Sequence, residues 1–188
     1  HDELGALLTA AKLDVARLKS KIGTLSPDVV ERLGHLTETL NTGIALKRRI
    51  VEDLHPSSLY HLGLTASLEI LTHEFSNHSG IPINTDLDTV EIDAAGQLTI
   101  YRLIQESLTN IGKYAEATLI TVTVQNYTGH VQVDVHDNGK GFDMAHVRPS
   151  THGIAGMRHR VEAAGGRLTV ISSPGNGTHI SAALPTHS

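Results

Sequence analysis

The sequence predicts an α+β protein in two parts: an antiparallel helical hairpin over residues 1–60, then a mixed sheet layered against helices over 61–188. Three observations carry this. Leu4, Leu8, Ala11, Val15, Leu18, Ile22 and Leu25 recur at alternating gaps of four and three, a heptad seam. Val29, Leu33, Leu36, Leu40 and Ile44 line one side of a second long stretch. Farther on the period shortens: Val131, Val133 and Val135 alternate with polar residues, and Gly165-Gly166 and Pro174-Gly175 punctuate short runs as turns between strands do.

The first helix is expected over Asp2 to Thr24. Ser26-Pro27-Asp28 reads as a helix start, with Ser as N-cap, Pro at the first helical position and an acid in the first turn. The second helix runs from Asp28 to about Leu54 and closes at His55-Pro56, because the residue before Pro is pushed out of the α region. Each helix carries one apolar face that needs covering. Two hairpins pairing into a four-helix bundle would do so, which predicts a homodimer; packing of the hairpin on its own C-terminal part is the other solution.

A short joint, Pro56 to Leu62, leads to a third helix with Leu64, Leu68, Leu71 and Phe75 at seam spacing, ending at His78-Ser79-Gly80. Ile81 to Thr85 is an edge strand, since Pro82 cannot donate to a central ladder. A helix follows over Ala94 to Tyr114, then strands over Thr118–Gln125 and His130–His136. A loop, a helix over Ile154–Ala164, and strands over Leu168–Ser172 and His179–Leu184 complete the chain.

Composition excludes several classes. A net charge of −5 argues against a nucleic-acid partner, whose phosphates call for a basic surface. The absence of cysteine rules out a disulfide framework and thiolate metal sites. Thirteen histidines are scattered without an HExxH or a tight acidic cluster, so they read as solvated surface groups. No apolar run approaches a membrane span and no signal peptide is visible; a cytoplasmic location is expected, with no direct membrane contact within this fragment and an upstream region left open as an anchor of the parent protein. With no Trp and few Phe and Tyr, the core must be built from Leu, Ile, Val and Ala.

Four stretches carry chemistry. In Asp137-Asn138-Gly139-Lys140-Gly141-Phe142 an acid ends a strand, and two glycines let the backbone turn sharply and approach a flat or anionic ligand. That pattern alone arises at many strand-to-turn junctions. Upstream, Glu106 and Asn110 stand four residues apart on one helix face, with Lys113 three residues on. Downstream come His152-Gly153-Ile154-Ala155-Gly156-Met157-Arg158 and Gly175-Asn176-Gly177-Thr178.

Taken in series, these resemble the N box, first glycine box, second glycine box and terminal Gly-Thr of the GHKL ATPases. The flavour is that of sensor histidine kinases of the HisKA_3 type, which signal to NarL-type response regulators. The resemblance covers nearly the whole chain and implies a GHKL (Bergerat) α/β sandwich that binds ATP with Mg²⁺. It implies that Asn110 coordinates the Mg²⁺, an ion that takes hard oxygen ligands and needs only one or two protein groups. Glu106 would hold a metal-bound water or accept a proton, and Lys113 would offer an ammonium to phosphate. Asp137 would accept a hydrogen bond from the adenine amino group, with Gly139 and Gly141 shaping the turn beside it. Gly153 and Gly156 would let a lid containing Pro149, Ser150 and Thr151 close on the phosphates, and the Thr178 hydroxyl would sit near the base.

His1-Asp2-Glu3-Leu4-Gly5 resembles the H box of these kinases, which makes His1 the phosphate acceptor and Asp2 the carboxylate that holds its other ring nitrogen. His55-Pro56 resembles the His of other kinase classes only superficially and reads instead as the family's joint. The motif histidine belongs inside a helix, so the chain is expected to be a fragment cut at its own active residue. The partners implied are a response regulator receiver domain and a second copy of this chain. Two departures stand out: Ala6 lies where the family often has a water-positioning Gln for phosphatase activity, and Tyr114 where it frequently has His. A different class, a GHKL module that binds ATP to regulate or that phosphorylates serine, would not need the seam helices. A GHKL chaperone or repair ATPase would need further domains.

Overall fold

The computed structural model describes residues 3–21, 27–54, 56–143 and 152–186. By internal packing the chain divides into two units between Ser57 and Ser58. The first unit contains α1 (Glu3–Lys21) and α2 (Pro27–Leu54). They run antiparallel: a Cβ on Gly43, late in α2, would lie 3.8 Å from Leu8, early in α1. Pro27 takes the first helical position, where its missing N–H has no partner to lose, and Asp28 accepts from Arg32 Nε at 3.1 Å one turn on. Ser26, the expected N-cap, lies outside the described residues, as does His55. Of the heptad seam, Val15 alone is buried among the described residues; Leu4 and Leu18 in α1 and Val29 and Leu36 in α2 are exposed. Two helices cannot enclose a core by themselves.

The second unit opens within α3 (Ser57–Leu62), a short helix where a short joint was expected, and Gly63 at φ 79° breaks it from α4 (Leu64–Ser79). Gly80 closes α4 in the left-handed conformation, its N–H donating to Ser76 O at 2.9 Å. The strands are β1 (Ile83–Leu87), β2 (Ile120–Tyr127), β3 (His130–Asp137), β4 (Arg167–Ser172) and β5 (Thr178–Pro185), in the order β1-β2-β3-β5-β4. β1 is parallel to β2 and the other pairs are antiparallel, so the sheet is mixed and β1 lies at its edge as expected.

Two strands start later than the sequence suggested, for local reasons. Ile81 is tied back to the end of α4, donating to Ser79 Oγ at 3.2 Å and accepting from Ser76 Oγ at 2.8 Å, so β1 begins at Ile83. Thr118 and Leu119 donate their N–H groups to Asn138 Oδ1, at 2.9 and 3.0 Å, instead of to a neighbouring strand, so β2 begins at Ile120.

Helix α5 (Ala94–Asn110) starts at Asp93, whose side chain accepts from Gly96 N at 2.7 Å, an N-cap. Ile100, Leu103, Ile104, Ser107, Leu108 and Ile111 are buried at helical spacing. The helix was expected to continue to Tyr114. Instead its last turn widens to a π-helical segment over Ile111–Ala115. Helix α6 (His152–Ala163) buries Met157 and Val161. α4, α5 and α6 cover one face of the sheet. Its opposite face is polar, with Gln132 donating to Ser181 Oγ at 2.8 Å and His179 Nε2 within 2.8 Å of Asp134 Oδ1.

Candidate functional site

The covered face of the sheet is built in cross-strand rows. Val124, Val133, Ala182 and Leu168 form one, and Val122, Val135, Ile180 and Val170 the next, all buried. The following row breaks the pattern: beside Ile120 stand Asp137, Thr178 and Ser172. Three adjacent polar side chains at the end of an otherwise apolar face mark where the core stops and a polar rim begins.

Asp137 is only 2 % exposed. Gly139 N–H donates to its Oδ1 at 2.8 Å, which orients the carboxylate and leaves the second oxygen with no protein donor among the described residues. A carboxylate so held only accepts, which suits an amino group. The turn that follows is packed at backbone distance on two sides. Lys140 N–H donates to Ala115 O at 2.7 Å, and a Cβ on Gly139 would lie 2.2 Å from that same oxygen. On the other side Gly175 N–H donates to Lys140 O at 2.7 Å, and a Cβ on Gly141 would fall 2.1 Å from Ser173 O. Gly177, at φ 67°, brings its α-carbon against Asp137, where a Cβ would stand 1.9 Å from the carbonyl oxygen. Gly139, Gly141 and Thr178 are thus gathered around Asp137, as the sequence suggested.

Glu106 and Asn110 do share a face of α5, half-buried, with Asn110 Nδ2 donating to Glu106 Oε1 at 3.4 Å. The amide nitrogen is turned to the carboxylate, so Asn110 Oδ1 remains as an oxygen donor. With the Glu106 carboxylate it forms a hard donor set that fits a divalent cation such as Mg²⁺. The first turn of α6 lies over this pair: a Cβ on Gly153 would sit 2.5 Å from Glu106 Oε1 and 3.3 Å from Asn110 Nδ2. α6 starts two residues before the expected Ile154, so Gly153 lies in its first turn and Gly156 within the helix as expected, and Gly153 is there for close approach. Residues 144–151, including Pro149, Ser150 and Thr151, lie outside the described residues, as do His1 and Asp2.

Lys113 sits in the π-helical segment with its side chain exposed and makes no ion pair among the described residues. Arg158 donates to Leu168 O at 2.9 Å and ties α6 to β4. Three contributors were not anticipated. Asn138 fastens the Asp137 turn to β2 and donates to Thr118 Oγ1 at 2.9 Å. Glu116, at φ 54°, accepts from Lys140 Nζ at 2.7 Å, and that hydrogen bond and charge hold its carboxyl below the usual range. Ser172 completes the polar row; the alternation Leu168, Val170, Ser172 would have placed it there.

Residues 95–188, the C-terminal half, match the family described as histidine kinase-, DNA gyrase B-, and HSP90-like ATPase. The chain belongs to this ATPase family. It is 28% identical to the sensor histidine kinase LiaS of Bacillus subtilis, an alignment covering 98% of this chain and 51% of LiaS. It is 32% identical to the histidine-protein kinase/phosphatase UhpB of Salmonella typhimurium, over 98% of this chain and 37% of UhpB. The similarity runs through the hairpin as well as the ATPase unit. The chain spans about half the length of LiaS and less of UhpB. Its fold is similar to the histidine kinase domain of the blue-light activated kinase EL346 of Erythrobacter litoralis, with a TM-score of 0.63 at 20% identity, over 94% of this chain and 95% of that one. Among the described residues no helix is long and apolar enough to cross a membrane, and no cluster of three or more His, Cys, Asp or Glu is placed to hold a metal.

Proposed function

We propose that this chain is the ATP-dependent core of a two-component sensor histidine kinase, acting in the cytoplasm. Residues 61–188 form the nucleotide-binding domain and residues 1–60 the dimerisation hairpin that carries the phosphate acceptor. The reading is supported by two polar sets, each suited to one part of a nucleotide. The acceptor row at the sheet end, Asp137 and Thr178, suits an amino purine. The Glu106–Asn110 pair beneath the first turn of α6 suits a phosphate-bound cation.

In this reading Asp137 accepts from the adenine amino group, and Gly139 and Gly141 let the backbone lie close to the base. Asn110 and Glu106 would hold a Mg²⁺, and the chemistry it would supply there is neutralisation of phosphate charge. Lys113 adds an ammonium, and the first turn of α6, with Gly153 and Gly156, turns N–H groups toward anionic oxygen. The His1 imidazole attacks the γ-phosphorus; the N–P bond forms, the bond to the β,γ-bridging oxygen breaks, and ADP departs. Asp2 takes the proton from the other ring nitrogen. Positioning and charge neutralisation supply most of the rate, as in phosphoryl transfer generally. The phosphoryl group then passes to an Asp of a response regulator receiver domain. Ala6 supplies no water-positioning amide, so no phosphatase activity is assigned.

The apolar residues left exposed on α1 and α2 are supported by a second hairpin from another copy, giving a four-helix bundle. Incubation with γ-labelled ATP tests the assignment. Acid-labile label that disappears in His1→Gln is expected. Acid-stable label would point to a serine kinase, and unchanged labelling of His1→Gln would remove His1 from the mechanism.

A further inference from the structure

The Ser172 hydroxyl has three partners and one proton. Phe142 N–H lies 2.9 Å from Ser172 Oγ, Gly177 O lies 2.9 Å away, and Thr178 Oγ1 lies 3.0 Å away. An amide N–H can only donate and a carbonyl can only accept. The Ser172 proton is therefore directed at Gly177 O, and the Ser172 lone pairs receive Phe142 N–H and the Thr178 hydroxyl. It follows that Thr178 donates toward Ser172 and presents lone pairs elsewhere. Across the strand pair, Asp137 also presents only acceptor oxygen.

We propose that Ser172 is a positioning residue that fixes the polarity of the Thr178 hydroxyl, so that the site offers two acceptors and discriminates an amino purine from an oxo purine. The inference rests on the nucleotide reading of the site and deepens it. An amino group meets two acceptors with its two hydrogens. A purine carbonyl at that place meets them with lone pairs, and no donor rotates in to receive it. Without the Ser172 hydroxyl, the Thr178 proton is released and the hydroxyl can turn to donate to a carbonyl. Ser172 touches neither purine nor phosphate in this arrangement; it acts through Thr178. By the same hydroxyl it joins the glycine turn at Phe142 to the β4–β5 turn at Gly177, which the sequence motifs alone did not link.

The test is calorimetric titration with Mg-ATP and Mg-ITP, whose bases differ by an amino group against a carbonyl. Wild type should prefer ATP, and Ser172→Ala should reduce the ATP-to-ITP affinity ratio by roughly tenfold, chiefly by admitting ITP. Ser172→Thr, which keeps a hydroxyl on a strand residue, should restore the ratio. A merely structural role would weaken both nucleotides together, and that result, or an unchanged ratio, overturns the proposal. Should Ser172→Ala fail to fold, Thr178→Val provides the same decision: it must lower the ratio, and an unchanged ratio overturns the proposal. Loss of binding in Asp137→Asn alongside an unchanged Ser172→Ala ratio would retain the nucleotide site and reject this role for Ser172. A wild type that binds neither nucleotide would reject both.

Discussion

Gly153 shows how much one absent side chain can decide. Inside a helix Gly is less favourable than Ala by about 0.8–1 kcal/mol. Here a Cβ would lie 2.5 Å from Glu106 Oε1, the mobile end of a side chain that can swing aside. Gly153→Ala should therefore leave the melting temperature unchanged or slightly raised while displacing the Glu106 carboxylate. The affinity for the magnesium nucleotide should fall by about tenfold, equivalent to about one charge-assisted hydrogen bond. Unchanged affinity, read by titration in the presence of magnesium, would mean that Glu106 takes no part in holding the ion. Asp137, Gly139 and Asn110 were legible because their spacing is local: strand end, turn, helix face. The reason for Gly153 was not, since it depends on α6 crossing α5, a contact between residues far apart in the chain.

At the scale of elements, the periods read along the chain gave every strand and every helix of the sheet-containing unit except the short α3. Boundaries moved where side chains captured backbone groups. Asn138 holds Thr118 and Leu119 away from the ladder, and Ser76 and Ser79 hold Ile81. The widening of α5 into the π-helical segment carries no signature in periodicity, yet it delivers Ala115 O to Lys140 N–H and sets Glu116 against Lys140. Because Lys140 lowers the Glu116 carboxyl, the pair stabilises the fold fully above the ordinary glutamate range, and that contribution is lost as pH falls through the lowered value. Both side chains are largely exposed, so the effect is small and screened by salt. Thermal melts of wild type and Glu116→Gln should differ most near neutrality, with wild type the more stable. The two curves should converge on acidification and in about 1 M salt. A gap that widened in acid would refute this sign.

For the molecule as a whole, the two units differ in how they achieve a core. The sheet-containing unit buries continuous apolar rows of strand residues under three helices. The two hairpin helices bury only Val15 among their described residues and leave much of the seam outward. A heptad pattern announces that a face must be covered without saying by what, so the seam was visible in the sequence and its partner was not. The nucleotide site needs only the second unit, and the central claim concerns that site: a buried acid at the sheet end reads the base while Asn110 supports the cation. Titration of magnesium ATP against wild type, Asp137→Asn and Asn110→Asp tests it most directly, with melting temperature as the control for folding. Asn at 137 keeps an oxygen for Gly139 N–H, so the fold should survive while affinity drops by about tenfold to a hundredfold. Asn110→Asp should alter the magnesium dependence of binding. Folded variants that retain wild-type affinity and magnesium dependence would contradict the account.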